Sequence, residues 1–210
     1  MHNITFDMSV MHLHGPVFYD FLRLRKAFFV DTLAWDIPHN DDVEMDQYDN
    51  PEAKYSVVVR NGHVVGGART MSANVRWGEH TCMLQDAIAG RLPGIPADIL
   101  GHQVNSDDIW ECTRLVISNS VKSQKERTRC LALIVDGLVT MAKAEGAREL
   151  VSISPLPLMR ALRRLGHGAT RIGDPYVNPG DARTYAVLKM PAERSAAMVA
   201  EHAPAFAEAS

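Results

Sequence analysis

Residues 109–118 read IWECTRLVIS, and residues 123–146 read SQKERTRCLALIVDGLVTMAKAEG. The first stretch is a mostly apolar strand interrupted by charges. The second opens on Ser123-x-x-Glu126, the pattern of a capping box. It then holds Leu131, Ile134, Val135, Leu138 and Met141 at helical spacing until Gly146. A strand of this kind running into an amphipathic helix predicts an α/β fold with a mixed sheet and a helix after its central strand. Upstream, Tyr55 to Arg60 is rich in valine, Asn61-Gly62 is a type I′ turn signal, and Val64 to Met71 returns as the partner strand. Gly66-Gly67 inside that return predicts a bulge or a close backbone approach. Residues 15–33 read as a helix with Phe18, Leu22, Arg25 and Phe29 on one face. Residues 84–103 read as short helical pieces broken by Gly90, Pro93, Gly94 and Pro96. Downstream come a short strand over 150–154, a basic helix from Pro157 to Leu165, strands over 169–172 and 183–189, and an alanine-rich tail read as a loose helix from Pro191. No repeat and no linker divides the chain. The reading is one domain over 1–210, with its core at about 15–190 and a tail at 191–210.

The charges inside the apolar elements need partners. Alternation along IWECTRLVIS puts Glu111 and Thr113 on one face and Cys112 and Arg114 on the other. A charge inside an apolar strand costs stability unless it is paired. Glu111 is therefore either half of a structural ion pair or a general base lining a cavity. Arg25 in its apolar stripe is either a snorkelling side chain at the core edge or a cluster member. Arg69, at the end of VVGGAR, poses the same question. The run from Asp36 to Pro51 carries Asp36, Asp41, Asp42, Glu44, Asp46 and Asp49, as a solvated loop does. Val43, Met45 and Tyr48 interrupt it and suggest that part of it packs down. A polar cluster of these acids and arginines in a cleft suits a small zwitterionic ligand.

Composition bounds the partners. With 210 residues, 46% hydrophobic content and a formal net charge of -3, the chain has enough apolar material for a core and no global basic field for nucleic acid. Cys82, Cys112 and Cys130 form no CxxC pair, and no histidines stand in HxxxH or HExxH spacing, so neither a metal site nor a disulfide framework is expected. No apolar run reaches the ~20 residues of a membrane span, and the start lacks the layout of a signal peptide. The expectation is a soluble, cytoplasmic protein without membrane insertion.

The motifs, taken in order, resemble a family. RKAFF supplies Arg25 and Phe29, and Trp35-Asp36 follows. EMDQYDNP supplies Glu44, Asp46, Tyr48 and Asp49, GGAR supplies Arg69, ECTR supplies Glu111 and Arg114, and RIGDP closes the series at 171–175. The chain resembles the LuxI-type acyl-homoserine-lactone synthases, relatives of the GNAT acyltransferases, from about residue 18 to residue 190. The resemblance implies a GNAT-like mixed sheet flanked by helices, with a V-shaped splay between its central strands for an acyl-pantetheine. It implies transfer of an acyl group to the amine of S-adenosylmethionine, then lactonisation with release of methylthioadenosine, producing a quorum-sensing autoinducer. By resemblance Arg25, Phe29 and Trp35 bind S-adenosylmethionine. Asp46, Asp49, Arg69 and Arg114 form the charged cluster that shapes that site, and Glu111 is the base. S-adenosylmethionine is then a substrate, and no cofactor or metal is implied. Two departures stand out: Thr113 where the family often has Ser, and Ser152 and Ser154 in VSISP, where makers of 3-oxo products often carry Thr. The second leaves the acyl oxidation state open.

The acyl donor, acyl carrier protein or acyl-CoA, has two candidate docking surfaces. Arg160, with Arg163 or Arg164, makes one side of the basic helix PLMRALRRLG either a solvated face or a patch for acidic acyl carrier protein. Lys122, Lys125 and Arg127 surround the start of the long helix, which is either a capped surface helix or a site for phosphopantetheine or coenzyme phosphates. An acetyl-CoA-dependent GNAT enzyme is a rival reading, but VKSQKERTRC lacks the glycines of a pyrophosphate loop. A non-catalytic sensor of acyl thioesters is disfavoured by the presence of Glu111 and Arg69. An N-acyl amino acid synthase of the same fold is the closest alternative, disfavoured by the set Arg25, Phe29 and Trp35.

Overall fold

The computed structural model describes residues 1–101, 104 and 106–193. The alanine-rich tail beyond Glu193 lies outside the described residues. The strands are β1 (His2–Asp7), β2 (Lys54–Arg60), β3 (His63–Ser72), β4 (Ile109–Ile117), β5 (Glu149–Pro155), β6 (Thr170–Val177) and β7 (Thr184–Pro191). They form one sheet in the order β1-β2-β3-β4-β5-β7-β6. All neighbours are antiparallel except β4 and β5, which run parallel. The helices are α1 (Val17–Arg25), α2 (Met83–Ile88), α3 (Gln124–Ala144) and α4 (Leu156–Arg164). Side chains of α1, of the 33–53 segment and of α2 pack on one face of the sheet. Those of α3 and α4 pack on the other. Among the described residues no helix is long and apolar enough to cross a membrane.

Local chemistry accounts for most of this. The Ser123 hydroxyl accepts a hydrogen bond from the Glu126 backbone N–H and donates one to the Glu126 carboxylate, so the expected cap starts α3. Buried Leu131, Ile134, Val135 and Leu138 then seat it on the sheet. Asn61 and Gly62, with φ of 53° and 79°, turn β2 into β3 as a type I′ turn requires. Strand β1 has no counterpart in the sequence reading, because six residues at the chain's start carry only a weak alternation. Of the broken segment 84–103, only Met83–Ile88 is helical among the described residues.

Two irregularities shape the sheet. At Gly66-Gly67 both helical layers close on β3. A Cβ on Gly67 would stand 2.7 Å from the Phe21 ring, and one on Gly66 would stand 2.8 Å from Cys130 Sγ. The ladder with β2 shifts register beside them, between Val58 and Val59, so the glycine pair marks both a bulge and a close approach. The second irregularity lies in β4. Gly67 pairs with Val116 but Arg69 pairs with Thr113, so Arg114 and Leu115 together face Ala68. Arg114 takes a left-handed φ of 55° at this β-bulge. Simple alternation placed Arg114 with Cys112. The bulge overturns that, and Arg114 turns to the face that carries Glu111 and Thr113.

On its other edge β4 parts from β5 before that bulge is reached. The β4–β5 ladder consists of Ile109–Glu149, Trp110–Leu150 and Glu111–Val151, and no pairing follows. The strands diverge past Glu111, which is the V-shaped splay that the resemblance implied. Substituting Gly67→Ala is expected to destabilise the fold by about 1–3 kcal/mol, because the added methyl overpacks against Phe21. Thermal unfolding should show the melting temperature lowered by about 2–4 °C for each kcal/mol.

Candidate active site

Helix α1 does not end cleanly. Its last turn widens into a π-turn over Lys26–Val30, and Ala34 takes a left-handed φ of 54°. The Trp35 N–H then donates back to the Phe29 carbonyl at 3.0 Å. The chain thereby folds the Trp35 indole onto the Phe29 ring, with centroids 5.0 Å apart at 28°. Wide turns of this kind recur at functional sites because they rotate the side chains that follow.

Next to this aromatic pair lies a buried ionic network. Arg25, one turn before Phe29, donates from Nε to Glu44 at 2.6 Å and from its two terminal nitrogens to Asp49 at 2.7 and 2.8 Å. Arg69 reaches Asp46 at 2.6 Å and Asp49 at 2.8 Å, and its Nε donates to the Thr113 hydroxyl at 3.1 Å. Arg114 completes the set, with Asp46 at 2.6 Å and Glu44 at 3.2 Å, and its guanidinium stands 5.5 Å from the Phe29 ring centroid. Three arginines thus face three carboxylates, and their charges cancel. Arg25, Arg69 and Glu44 are fully buried, so the snorkelling reading of Arg25 is excluded. The acidic run divides. Glu44, Asp46 and Asp49 turn inward, while Asp36, Asp41 and Asp42 stay exposed.

The electrostatics follow from this pairing. Burial alone would raise the Asp46 carboxyl, but Arg69 and Arg114 outweigh it and hold it below the ordinary range. Burial would also raise Asp49, and Arg69 and Arg25 likewise hold it low. Burial raises the Tyr55 hydroxyl well above its usual value; this hydroxyl donates to Asp49 at 3.0 Å.

Glu111 stands apart from the network, though on the same face. Its two oxygens accept the backbone N–H groups of Met83 and Leu84 at 2.7 and 2.8 Å, so the carboxylate caps the start of α2. Its pKa is raised to about 7. Burial is the largest cause, opposed by those two N–H groups and by Arg69. Neither sequence reading of Glu111 included the cap. Two further acids were also missed. Fully buried Asp86 accepts from Tyr48 at 2.9 Å, from the Thr81 hydroxyl at 2.8 Å and from Arg91 at 3.0 Å, pinning the loop that precedes α2. Asp181, 146 positions from Trp35 in the chain, accepts the indole N–H at 3.0 Å. Glu44 was legible as one acid of the run and of the motif EMDQYDNP, without its partners Arg25 and Arg114. Asp86 and Asp181 each combine near neighbours in the chain with one distant partner, Tyr48 and Trp35, which no local pattern marks.

On the opposite face the splay opens onto an apolar cavity. Cys112 and Leu115 of β4, Leu150 of β5, Leu188 and Met190 of β7, Val135 and Leu138 of α3, and Leu158 and Leu162 of α4 line it. Its polar lining comprises Lys189 and the pair Ser152 and Ser154, where the Ser154 hydroxyl donates to Ser152 at 2.9 Å. The basic residues lie outside both sites. Arg160 and Arg164 are exposed on α4, the helix whose Leu158 and Leu162 wall the cavity, while the Arg163 Nε is tied to the Ala169 carbonyl at 2.7 Å. Lys122 and Lys125 are exposed at the start of α3, and Arg127 spends a terminal nitrogen on the Ser118 and Val121 carbonyls.

The Autoinducer synthase family model matches residues 12–198. The acyl-homoserine-lactone synthase of Acinetobacter nosocomialis is 30% identical over 168 residues, spanning 76% of this chain and 85% of that protein. That of Aeromonas hydrophila is 28% identical over 164 residues, spanning 77% and 74%. Among solved structures, TofI in a ternary complex with an inhibitor and MTA superposes with a TM-score of 0.74 at 21% identity, over 99% of this chain and 100% of that one. The CoA-dependent acyl-homoserine lactone synthase BjaI, with SAM and isopentyl-CoA, gives 0.69 at 18% identity over 90% and 82%. An acyl-CoA N-acyltransferase from Pseudomonas aeruginosa shares the fold more distantly, with a TM-score of 0.53 at 14% identity over 90% and 97%.

Removing one member of the ionic network leaves a buried charge uncompensated. Asp49→Ala is expected to destabilise the protein by about 3–5 kcal/mol. Glu145→Ala, which breaks the exposed Lys54–Glu145 pair of 2.8 Å, should cost less than about 1 kcal/mol. Denaturant unfolding of the two variants measures both. The depressed carboxyls fix the sign with pH. Their contribution is complete above the unfolded carboxylate pKa of about 3.9 and is lost as pH falls through the lower folded values.

Proposed function

Since this chain belongs to the autoinducer synthase family, we propose a division of labour between the two faces of its sheet. The protein is an acyl-homoserine-lactone synthase, an acyltransferase that joins an acyl group to S-adenosylmethionine and releases the lactone. In our reading S-adenosylmethionine binds on the face of Phe29, Trp35 and the ionic network. The acyl chain occupies the apolar cavity behind β4 and β5, and its pantetheine arm passes through the splay. The observation that carries this reading is that the Phe29–Trp35 pair with its ionic network and the apolar cavity lie on opposite faces of the sheet beside the point where β4 and β5 stop pairing. An aromatic face suits a sulfonium or an adenine, and Arg25, Arg69 and Arg114 hold the acids that shape the pocket.

Each step asks something different of the residues. The amine of S-adenosylmethionine attacks the thioester carbonyl only when unprotonated. Glu111 takes its proton, directly or through a water, using the lone pairs its two backbone donors leave free. Backbone N–H groups freed where β4 and β5 part stabilise the oxyanion until the thiolate leaves. The carboxylate of the acylated product then attacks its own γ-carbon. The carbon–sulfur bond breaks, its electron pair goes to the sulfonium sulfur, and methylthioadenosine departs. This ring closure is intramolecular, so a site that holds the chain folded accelerates it. Neither step transfers an electron, and neither calls for a metal.

For the donor we favour acyl carrier protein, because exposed Arg160 and Arg164 stand on the helix that walls the acyl cavity. Surface charges of this kind act mainly on association with an acidic partner. Reversing both to Glu should raise KM for acyl carrier protein at low salt, leave S-adenosylmethionine kinetics unchanged, and lose its effect near 1 M salt, where the Debye length is about 3 Å. Unchanged donor kinetics at low salt would move the donor to Lys122, Lys125 and Arg127.

Glu111→Gln keeps the size of the side chain and removes the base. Methylthioadenosine release should fall by roughly 10²–10⁴ with the fold intact. The wild-type rate should rise with pH through about 7, where burial places the Glu111 carboxyl, and the variant should lack that rise. Wild-type turnover by the folded variant would remove Glu111 from the base role.

A further inference from the structure

The two halves of the sheet are joined edge to edge by three residue pairs, the last of which is Glu111–Val151. Past that point β4 belongs to one half, with β1, β2 and β3, and β5 belongs to the other, with β7 and β6. A side-chain contact crosses the open end. Trp35, carried by the first half through Phe29, donates its indole N–H to Asp181 Oδ2 at 3.0 Å. The same oxygen accepts the Tyr185 hydroxyl at 2.7 Å, and Asp181 Oδ1 accepts the Arg183 N–H at 3.0 Å. Asp181 lies in the turn between β6 and β7. Tyr185 is buried in β7 opposite Pro155, the last residue of β5, and its ring lies 6.1 Å from the indole. The carboxylate is thus fixed from its own side of the opening and holds a side chain from the other.

We propose that Asp181 is a positioning residue: it holds the Trp35 indole at the mouth of the splay in the orientation that receives S-adenosylmethionine. This rests on the reading above that places S-adenosylmethionine against Phe29 and Trp35. Stacking on Phe29 restrains the plane of the indole but leaves its in-plane rotation to the hydrogen bond at Nε1. An indole N–H has one donor and no acceptor, so a single carboxylate settles that rotation. Asp181 touches no reacting atom, and its effect passes through Trp35.

The test reads the indole first and the chemistry second. The chain has three tryptophans, Trp35, Trp77 and Trp110, so ¹⁵N spectra show three indole N–H signals and Trp35→Phe assigns one. In Asp181→Ala that signal should shift and exchange faster with solvent, while Asp181→Asn, which keeps an acceptor oxygen, should stay near wild type. Loss of a charge-assisted hydrogen bond should raise KM for S-adenosylmethionine about tenfold, with kcat changed by less than about twofold and Asp181→Asn restoring most of the difference. In a Trp35→Phe background, Asp181→Ala should add less than about twofold, because both changes remove one interaction. An unmoved indole signal, or a full tenfold effect in that background, would overturn the positioning role. A moved signal with unchanged S-adenosylmethionine affinity in both Trp35→Phe and Asp181→Ala would instead overturn the placement of that substrate at Trp35.

Discussion

Three arginines, two of them fully buried, and three buried carboxylates hold one face of this protein together. Arg25 comes from α1, Arg69 from β3 and Arg114 from β4, and all three converge on Glu44, Asp46 and Asp49 of one irregular segment. That segment has little apolar material to anchor it. Its order comes from ion pairs and from its own turn, in which the Asp46 N–H donates to Asp49 and the Tyr48 N–H to Asp46. Burying such charges brings little net stability over a well-packed apolar core. What the network supplies is geometry. It is charge-neutral only when complete, so the helix, two strands and the loop are held in one arrangement.

The opening in the sheet lies beside a local distortion. One extra residue in β4 turns Arg114 into the network and leaves Leu115 on the cavity side. The strand bends there, and its partnership with β5 lasts only to Glu111. A positive φ at a non-glycine residue is costly. It persists here because Glu44 and Asp46 both hold the Arg114 side chain. The bulge thus brings Arg114 into the network close to the point where β4 and β5 part.

The cap on α2 gives Glu111 a second duty beside the one its family resemblance implied. Two helical N–H groups favour the carboxylate while burial disfavours it, and the balance leaves its pKa at about 7. A group so placed exchanges a proton near neutrality without large cost in either direction. The cap also joins α2 to β4, and Asp86 joins the preceding loop to Tyr48. Glu111 thus stands on an element tied to the loop that carries the acids.

Sequence alone determined what short-range physics decides. The capping box at Ser123 and Glu126, the Asn61-Gly62 turn and the periodicity of α3 are local signals, and the corresponding elements formed where they pointed. The order of motifs from RKAFF to RIGDP was enough to identify the family. Sequence also showed that Arg25, Arg69 and Glu111 needed partners, since charge within apolar spacing is visible in a string of letters. Which partner each took was not visible. Alternation placed Arg114 on the wrong face, because a bulge depends on the neighbouring strand and not on the strand's own residues. Strand β1 was too short and too weakly patterned to read, and it exists because β2 offers it an edge. Asp181 reaches Trp35 across 146 positions, and Glu111 reaches α2 across 27 and 28. Contacts of that separation are set by where whole elements come to rest, so only the tertiary structure decided them.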